Sequence, residues 1–290
     1  MNDYVLLTDS SADLTDALVK ELGVEVLPLS FTMRNKTYRN WPDNREIDPK
    51  DFYRQLREGE MATTSAVNVS DFTETIEPHL KEGRDVLVVA FSSGLSATCH
   101  SAQIAAQELS EQYPERKVYV VDSLCASLGQ GLLVWYAARM KNEGRGIGAV
   151  RDWLEENKRR VCHWISVDDL GHLYRGGRLS AAGAVVGTAL GIKPIIDLNS
   201  EGKLITQEKV RGKNNVYAAL ARHLEDADNL DVIYITHAGA PEEAKKLAET
   251  IKKNYKVGEI RYSSIGPVVG CHTGPGTIAV VFFGTRSDAK

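Results

Sequence analysis

The chain has 290 residues, 43% of them hydrophobic and 26% charged, the balance of a folded globular protein. Its length passes the roughly 250 residues at which a single core tends to divide, so two domains are expected. Lys and Arg number 35 against 39 acidic residues, a net charge of −4, and the cations are scattered, which argues against a nucleic-acid-binding face. No apolar run approaches the roughly 20 residues that cross a bilayer, and Met1-Asn2-Asp3-Tyr4-Val5-Leu6-Leu7 reads as the approach to a first strand rather than a signal peptide. Cys99, Cys125, Cys162 and Cys271 are far apart and sit among apolar or small residues. They lack the spacing of a zinc site or a disulfide framework. Buried thiols in a reducing compartment, the cytoplasm, are the expectation.

In chain order, short β-branched runs alternate with helix-period segments. Tyr4 to Thr8 is a strand, followed by the turn Asp9-Ser10-Ser11-Ala12-Asp13 and a helix from about Leu14 to Leu22 that stops at Gly23. Val24 to Phe31 reads as the next strand. Thr63-Thr64-Ser65 is a polar stretch ahead of a helix starting near Ser70. Val86 to Phe91 is continuously apolar, as in a strand covered on both faces. It leads through Ser92-Ser93-Gly94-Leu95-Ser96 into an Ala-rich helix ending near Leu109. Val118 to Val121 is a similar strand, closed by Asp122-Ser123 and followed by a helix over about Ser127 to Lys141. Strand–helix alternation predicts right-handed βαβ units and a mostly parallel sheet. After Asn142 to Gly146 breaks the pattern, a charged helix covers Ile147 to Arg160. A second set of elements follows: a strand at His163 to Val167, a small-residue helix at Ala181 to Leu190, and strands about the hairpin turn Asn199 to Lys203. Helices at Lys213 to Leu224 and Pro241 to Lys253, with strands near Val232, Glu259 and Ile278, complete the chain. The expected fold is α/β in two domains, 1–150 and 151–290, with a mostly parallel sheet in the first, a mixed sheet in the second, and a ligand cleft between them.

Parallel sheets bind ligands at the carboxyl ends of their strands. Ser93-Gly94-Leu95-Ser96 stands at such an end, where glycine permits close approach and the helix behind offers free N–H groups to an anion; a simple helix cap is the competing reading. Asp9 and Asp122 read as caps or turn residues. Gly266 to Gly276 holds four glycines, two prolines and one histidine, His272, which reads as a tailored loop presenting a hydrogen-bonding imidazole. Tyr174-Arg175-Gly176-Gly177-Arg178 places two cations about a flexible turn, suited to a phosphate, to ion pairs with Asp168 or Asp169, or to a partner protein. No nucleotide-loop, zinc-protease or serine-elbow signature occurs. The residues alone point to binding an anion and do not separate a carboxylate from a phosphate.

Four motifs in order resemble the DegV family, bacterial fatty-acid-binding proteins that include the FakB subunits of fatty acid kinase. They are Thr8-Asp9-Ser10-Ser11-Ala12-Asp13-Leu14; Ser92-Ser93-Gly94-Leu95-Ser96-Ala97-Thr98; Asp168-Asp169-Leu170 with Leu173 to Ser180; and Gly266-Pro267-Val268 with His272-Thr273-Gly274-Pro275-Gly276. The resemblance spans nearly the whole chain. It implies a long-chain fatty acid between the domains, with its carboxylate held by Thr64, Ser93 or Ser96, and His272. It implies no cofactor, metal or catalytic residue in this chain, and an ATP-dependent kinase subunit that engages Arg178 and phosphorylates the presented carboxylate. Where the family has T-S-Q-P-S, this chain reads Thr64-Ser65-Ala66-Val67-Asn68, and losing the proline is expected to loosen that loop. Ala182, Ala184, Val185, Val186, Ala189 and Leu190 are candidates to line the acyl tunnel. The competing function is an enzyme on a small phosphorylated or carboxylated metabolite with His272 as acid/base; a lipid-sensing regulatory module is a third.

Overall fold

A computed structural model describes residues 4–179 and 191–287. The first sheet is built from β1 (Tyr4–Asp9), β2 (Glu25–Leu27), β6 (Asp85–Ala90) and β7 (Val118–Asp122). Its order is β2-β1-β6-β7, and every pairing is parallel. All six residues of β1 and of β6 are buried, because helices cover both faces. Val5, Leu7, Val86 and Val88 pack with α3 (Val69–Lys81) and α4 (Thr98–Gln112). The alternate residues Leu6, Leu87 and Val89 pack with α1 (Asp16–Leu22), α5 (Leu128–Asn142) and α6 (Ile147–Asn157). Period-two alternation thus divides one sheet between two helical layers.

Val24 to Phe31 is two strands rather than one. Pro28, which has no N–H for a ladder, separates β2 from β3 (Ser30–Met33). The latter joins a second, antiparallel sheet, β4-β3-β5, with β4 (Lys36–Arg39) and β5 (Ala62–Ser65). The polar stretch around Thr64 is therefore a strand. The loop after it is anchored, against expectation: Val67 is buried and Asn68 caps α3 in a reciprocal capping box with Asp71. Between β4 and β5, α2 (Pro49–Arg57) packs Phe52 and Tyr53 into the same core.

The second half forms a mixed six-stranded sheet, β10-β9-β8-β13-β11-β12. Its strands are β8 (Val161–Ser166), β9 (Ile192–Leu198), β10 (Leu204–Arg211), β11 (Val232–His237), β12 (Glu259–Ser264) and β13 (Ile278–Phe283). β11 and β12 run parallel; the other pairings are antiparallel. One face, including Trp164, Ile233, Ile235 and Val280, packs under α8 (Lys213–Arg222) and α9 (Pro241–Asn254). Short helices α7 (Leu170–Arg175) and α10 (Pro267–Thr273) complete the described elements. The boundary expected at 150/151 falls inside α6, where Val150 and Leu154 share a core with β6. The predicted helix at Ala181 to Leu190, with its candidate tunnel residues, lies outside the described residues.

The halves share a core. Ile265, Val268, Val269 and Cys271 from α10 and its approach pack with Leu29, Phe31 and Phe52 of the first half. Arg286, 1% exposed, closes the seam from the C-terminal side. It donates to the carbonyls of Leu124 and Lys158 from the first half and of Val161 and Asn199 from the second. All four cysteines are free and buried, and among the described residues no helix is long and apolar enough to cross a membrane.

Candidate functional site

Between the halves lies a cavity enclosing about 970 Å³ of empty space, its mouth included. Its sheet-side wall is the second face of the six-stranded sheet. There His163 and Ile165 of β8, Ala279 and Val281 of β13, and Thr236 of β11 alternate with the residues that face α8 and α9. Leu29, Phe91, Leu95, Ile265, Val268 and Val269 supply apolar lining from elsewhere. The cavity is mainly hydrocarbon, with a few convergent polar groups, the pattern of a pocket for an apolar ligand.

Thr64, Ser96, His272 and Arg178 all line this cavity. Thr64 faces inward because β5 alternates, with Thr63 and Ser65 exposed on either side. Its Oγ1 lies 2.8 Å from His272 Nε2. His272 is in α10, not in the loop expected from its glycines and prolines; Pro267 starts the helix and Gly274, at φ 75°, ends it. Its Nδ1 is buried and has no hydrogen-bond partner among the described residues. A side chain at Gly176 would meet that nitrogen at 2.2 Å, so glycine is required there. Desolvation, and then the nearby Arg178 guanidinium, lower the imidazole pKa to about 4. His272 is therefore neutral near pH 7, suited to hydrogen bonding and poorly matched to proton donation.

Arg178 was expected on a partner-facing surface, but its half-buried guanidinium belongs to the cavity lining. Nε donates to Leu95 O at 3.0 Å and Nη1 to Gly176 O at 2.5 Å. Burial lowers its pKa, and among the described residues no carboxylate forms a salt bridge with it. The other arginine of the motif, Arg175, has the intramolecular reading: it faces Asp169 at 3.7 Å, while Asp168 pairs with Lys193 at 2.8 Å.

The serine loop divides its labour. Ser92 is fully buried and donates to Gly202 O in the β9–β10 hairpin turn at 2.8 Å. A side chain at Gly94 would meet Glu201 O at 2.6 Å, so this glycine serves the docking of the hairpin. Ser93 is exposed and does not line the cavity; its N–H donates to Asp122. Ser96 lines the cavity and its Oγ accepts from Thr98 N at 3.2 Å, ordering the start of α4. Its neighbour Leu95 accepts from Arg178 through its carbonyl. Asp9 is wholly buried and receives Phe91 N, Gln130 Nε2 and Ser11, all from the first half; it is no exposed catalytic acid. His163, Ser127 and Thr236 line the cavity without having been singled out in the sequence. Only knowledge of which face of β8 and β11 turns toward the first domain identifies His163 and Thr236, and Ser127 enters from the cap of α5.

Comparison with known proteins shows the family and the fold. A DegV domain-containing protein of Clostridium perfringens is 44% identical over 99% of this chain and 100% of its own. Among solved structures, a DegV family protein of Thermus thermophilus, described for its fatty acid binding, is 34% identical with a TM-score of 0.87, covering 97% of this chain and 99% of its own. DegV of Bacillus subtilis, described as a fatty acid binding protein, is 30% identical with a TM-score of 0.84 over 98% and 100%. The family profile described as "Uncharacterised protein, DegV family" matches residues 4–285, and the chain belongs to the DegV family.

Proposed function

We propose that this protein binds a long-chain fatty acid in the interdomain cavity, with its carboxylate at the corner formed by Thr64, Ser96, His272 and Arg178. The observation that carries the reading is a largely apolar cavity whose polar lining includes an arginine that forms no salt bridge with a carboxylate among the described residues. Each methylene removed from water contributes about 0.8 kcal/mol, so the hydrocarbon supplies most of the affinity. The hydroxyls orient the head group, and Arg178 offsets its charge. The Thermus and Bacillus proteins, both described as binding fatty acids, support the same ligand here.

The protein acts as a carrier, in this reading, and a separate ATP-dependent kinase subunit phosphorylates the presented carboxylate. Arg178, half-buried between the corner and solvent, serves both head group and kinase. Purification followed by solvent extraction and mass spectrometry tests the ligand. A long-chain fatty acid in stoichiometric amount is expected, and a lipid-free protein that takes up no added fatty acid overturns the reading. Arg178→Ala is expected to lower fatty-acid affinity as well as acyl-phosphate formation by an added kinase; unchanged affinity would return Arg178 to a purely partner-facing role.

A further inference from the structure

Asp13 closes the first sequence motif and lies outside the lining of the acyl cavity, yet the two walls of that cavity meet at its carboxylate. It follows a 3-10 turn at Ser10–Ala12 and sits in the left-handed region, φ 51°. Oδ2 accepts from Ser127 Oγ at 2.5 Å, and Oδ1 accepts from Gly266 N at 2.9 Å. Its carbonyl accepts from Ser263 Oγ at 2.9 Å. Ser127 lines the cavity at the head of α5 and has φ 50°, ψ −138°, a costly conformation for a residue with a side chain. Gly266 is the cap residue of α10, which carries Val268, Val269 and His272 into the cavity. A side chain at Gly266 would meet Asp13 Oδ1 at 2.6 Å, so glycine is what allows the carboxylate to reach the backbone.

We propose that Asp13 is a positioning residue for the acyl cavity: its carboxylate clasps the strained Ser127 turn to the cap of α10 and so holds the two walls together. The clasp rests on the fatty-acid reading for its purpose, though not for its existence. The ionisable groups that bear on Asp13 are Asp9, from its own loop, and Tyr53 of α2, whose hydroxyl donates to Ile265 O at 2.7 Å. Among the described residues no cation forms a salt bridge with it. A polar cleft lined by Asn40, Thr15 and Ser264 runs alongside the junction. Burial raises the carboxyl to about 7. The closed junction therefore holds the protonated carboxyl more favourably than water does, opening becomes easier once the group ionises, and the clasp is tightest below that pH.

The test uses the full chain loaded with cis-parinaric acid, whose fluorescence reports dissociation, together with hydrogen exchange of residues 264–273. Wild type should release the ligand about fivefold faster at pH 8 than at pH 6, because ionisation of the buried carboxyl favours the opened, hydrated junction. Asp13→Asn keeps the shape but not the charge, and should release at the slow rate at both pH values. Asp13→Ala should release fast throughout and exchange 264–273 faster, with or without ligand. The proposal is overturned if Asp13→Asn follows the wild-type pH profile, or if Asp13→Ala retains both the slow release and the protected amides. Should wild type bind no cis-parinaric acid while Asp13→Ala still speeds exchange, the clasp stands and the fatty-acid reading falls. If Asp13→Ala does not fold, the Asp13→Asn profile decides.

Discussion

His272 is neutral near pH 7, and one of its nitrogens, Nδ1, has no partner among the described residues. A buried N–H without an acceptor costs more than a buried lone pair without a donor, so the proton belongs on Nε2, where it donates to Thr64 Oγ1 at 2.8 Å. That leaves the threonine proton free to donate to a ligand. Thr64→Val keeps the shape and removes this donor. It should weaken fatty-acid binding by about tenfold, the equivalent of one hydrogen bond to a charged group, in a fluorescent fatty-acid displacement titration. Ser93→Ala, at an exposed position away from the cavity, should bind as wild type does. Equal affinities for wild type and Thr64→Val would remove Thr64 from the head-group site. Motif reading brought both serines forward because it sees a hydroxyl and a strand end. It does not see that Ser92 and Gly94 are occupied by the Gly202 hairpin, leaving Ser96 as the serine of this loop that lines the cavity.

At the scale of elements, the connection from β5 to α3 bears on Thr64 directly. Asn68 Oδ1 accepts from Asp71 N at 2.9 Å, and the Asp71 carboxylate receives Asn68 N in return. The capping box does the ordering expected of the missing proline. Asn68→Ala should destabilise the protein by about 1 kcal/mol in urea unfolding; no loss would mean that buried Val67 alone anchors the loop. The C-terminal segment carries more. Arg286→Met leaves the carbonyls of Leu124, Lys158, Val161 and Asn199 without this donor. A loss of roughly 3 kcal/mol or more is expected in the same measurement, and a loss below about 1 kcal/mol would show that water replaces the guanidinium. Neither feature was read from the sequence. Strands β1, β6 and β7 were legible because a continuous or nearly continuous apolar run has one economical explanation, a strand between two helical layers. The β3–β4–β5 sheet was not, since its strands are four residues long and half polar. Helix α10 carried its Pro-first, Gly-last signature openly, but the density of glycine and proline around it read as loop.

Across the whole molecule, two sets of buried ionisable groups titrate against each other. Burial lowers His163 to about 3 and His272 to about 4. The unfolded chain binds those protons near pH 6.5 while the folded protein does not, so these groups withdraw stability as pH falls from about 6.5 toward 4. Burial raises Asp13 to about 7, and Asp9 and Asp197 in the same direction. The folded protein binds those protons first, so the carboxyls add stability over much of the same descent. Part of the pH dependence of folding should therefore cancel in wild type. Asp13→Asn removes one carboxyl from the balance and leaves the histidines opposed by fewer partners. Its unfolding free energy should fall more steeply than that of wild type between about pH 6.5 and 4.5, by at most about 1.4 kcal/mol per pH unit, the value of one proton. Urea melts of both proteins at several pH values in that window measure the difference in slope. Parallel slopes would mean that Asp13 titrates at the same pH in the folded and unfolded chain. Its carboxyl would then be well solvated, and the junction between the halves would be open to water.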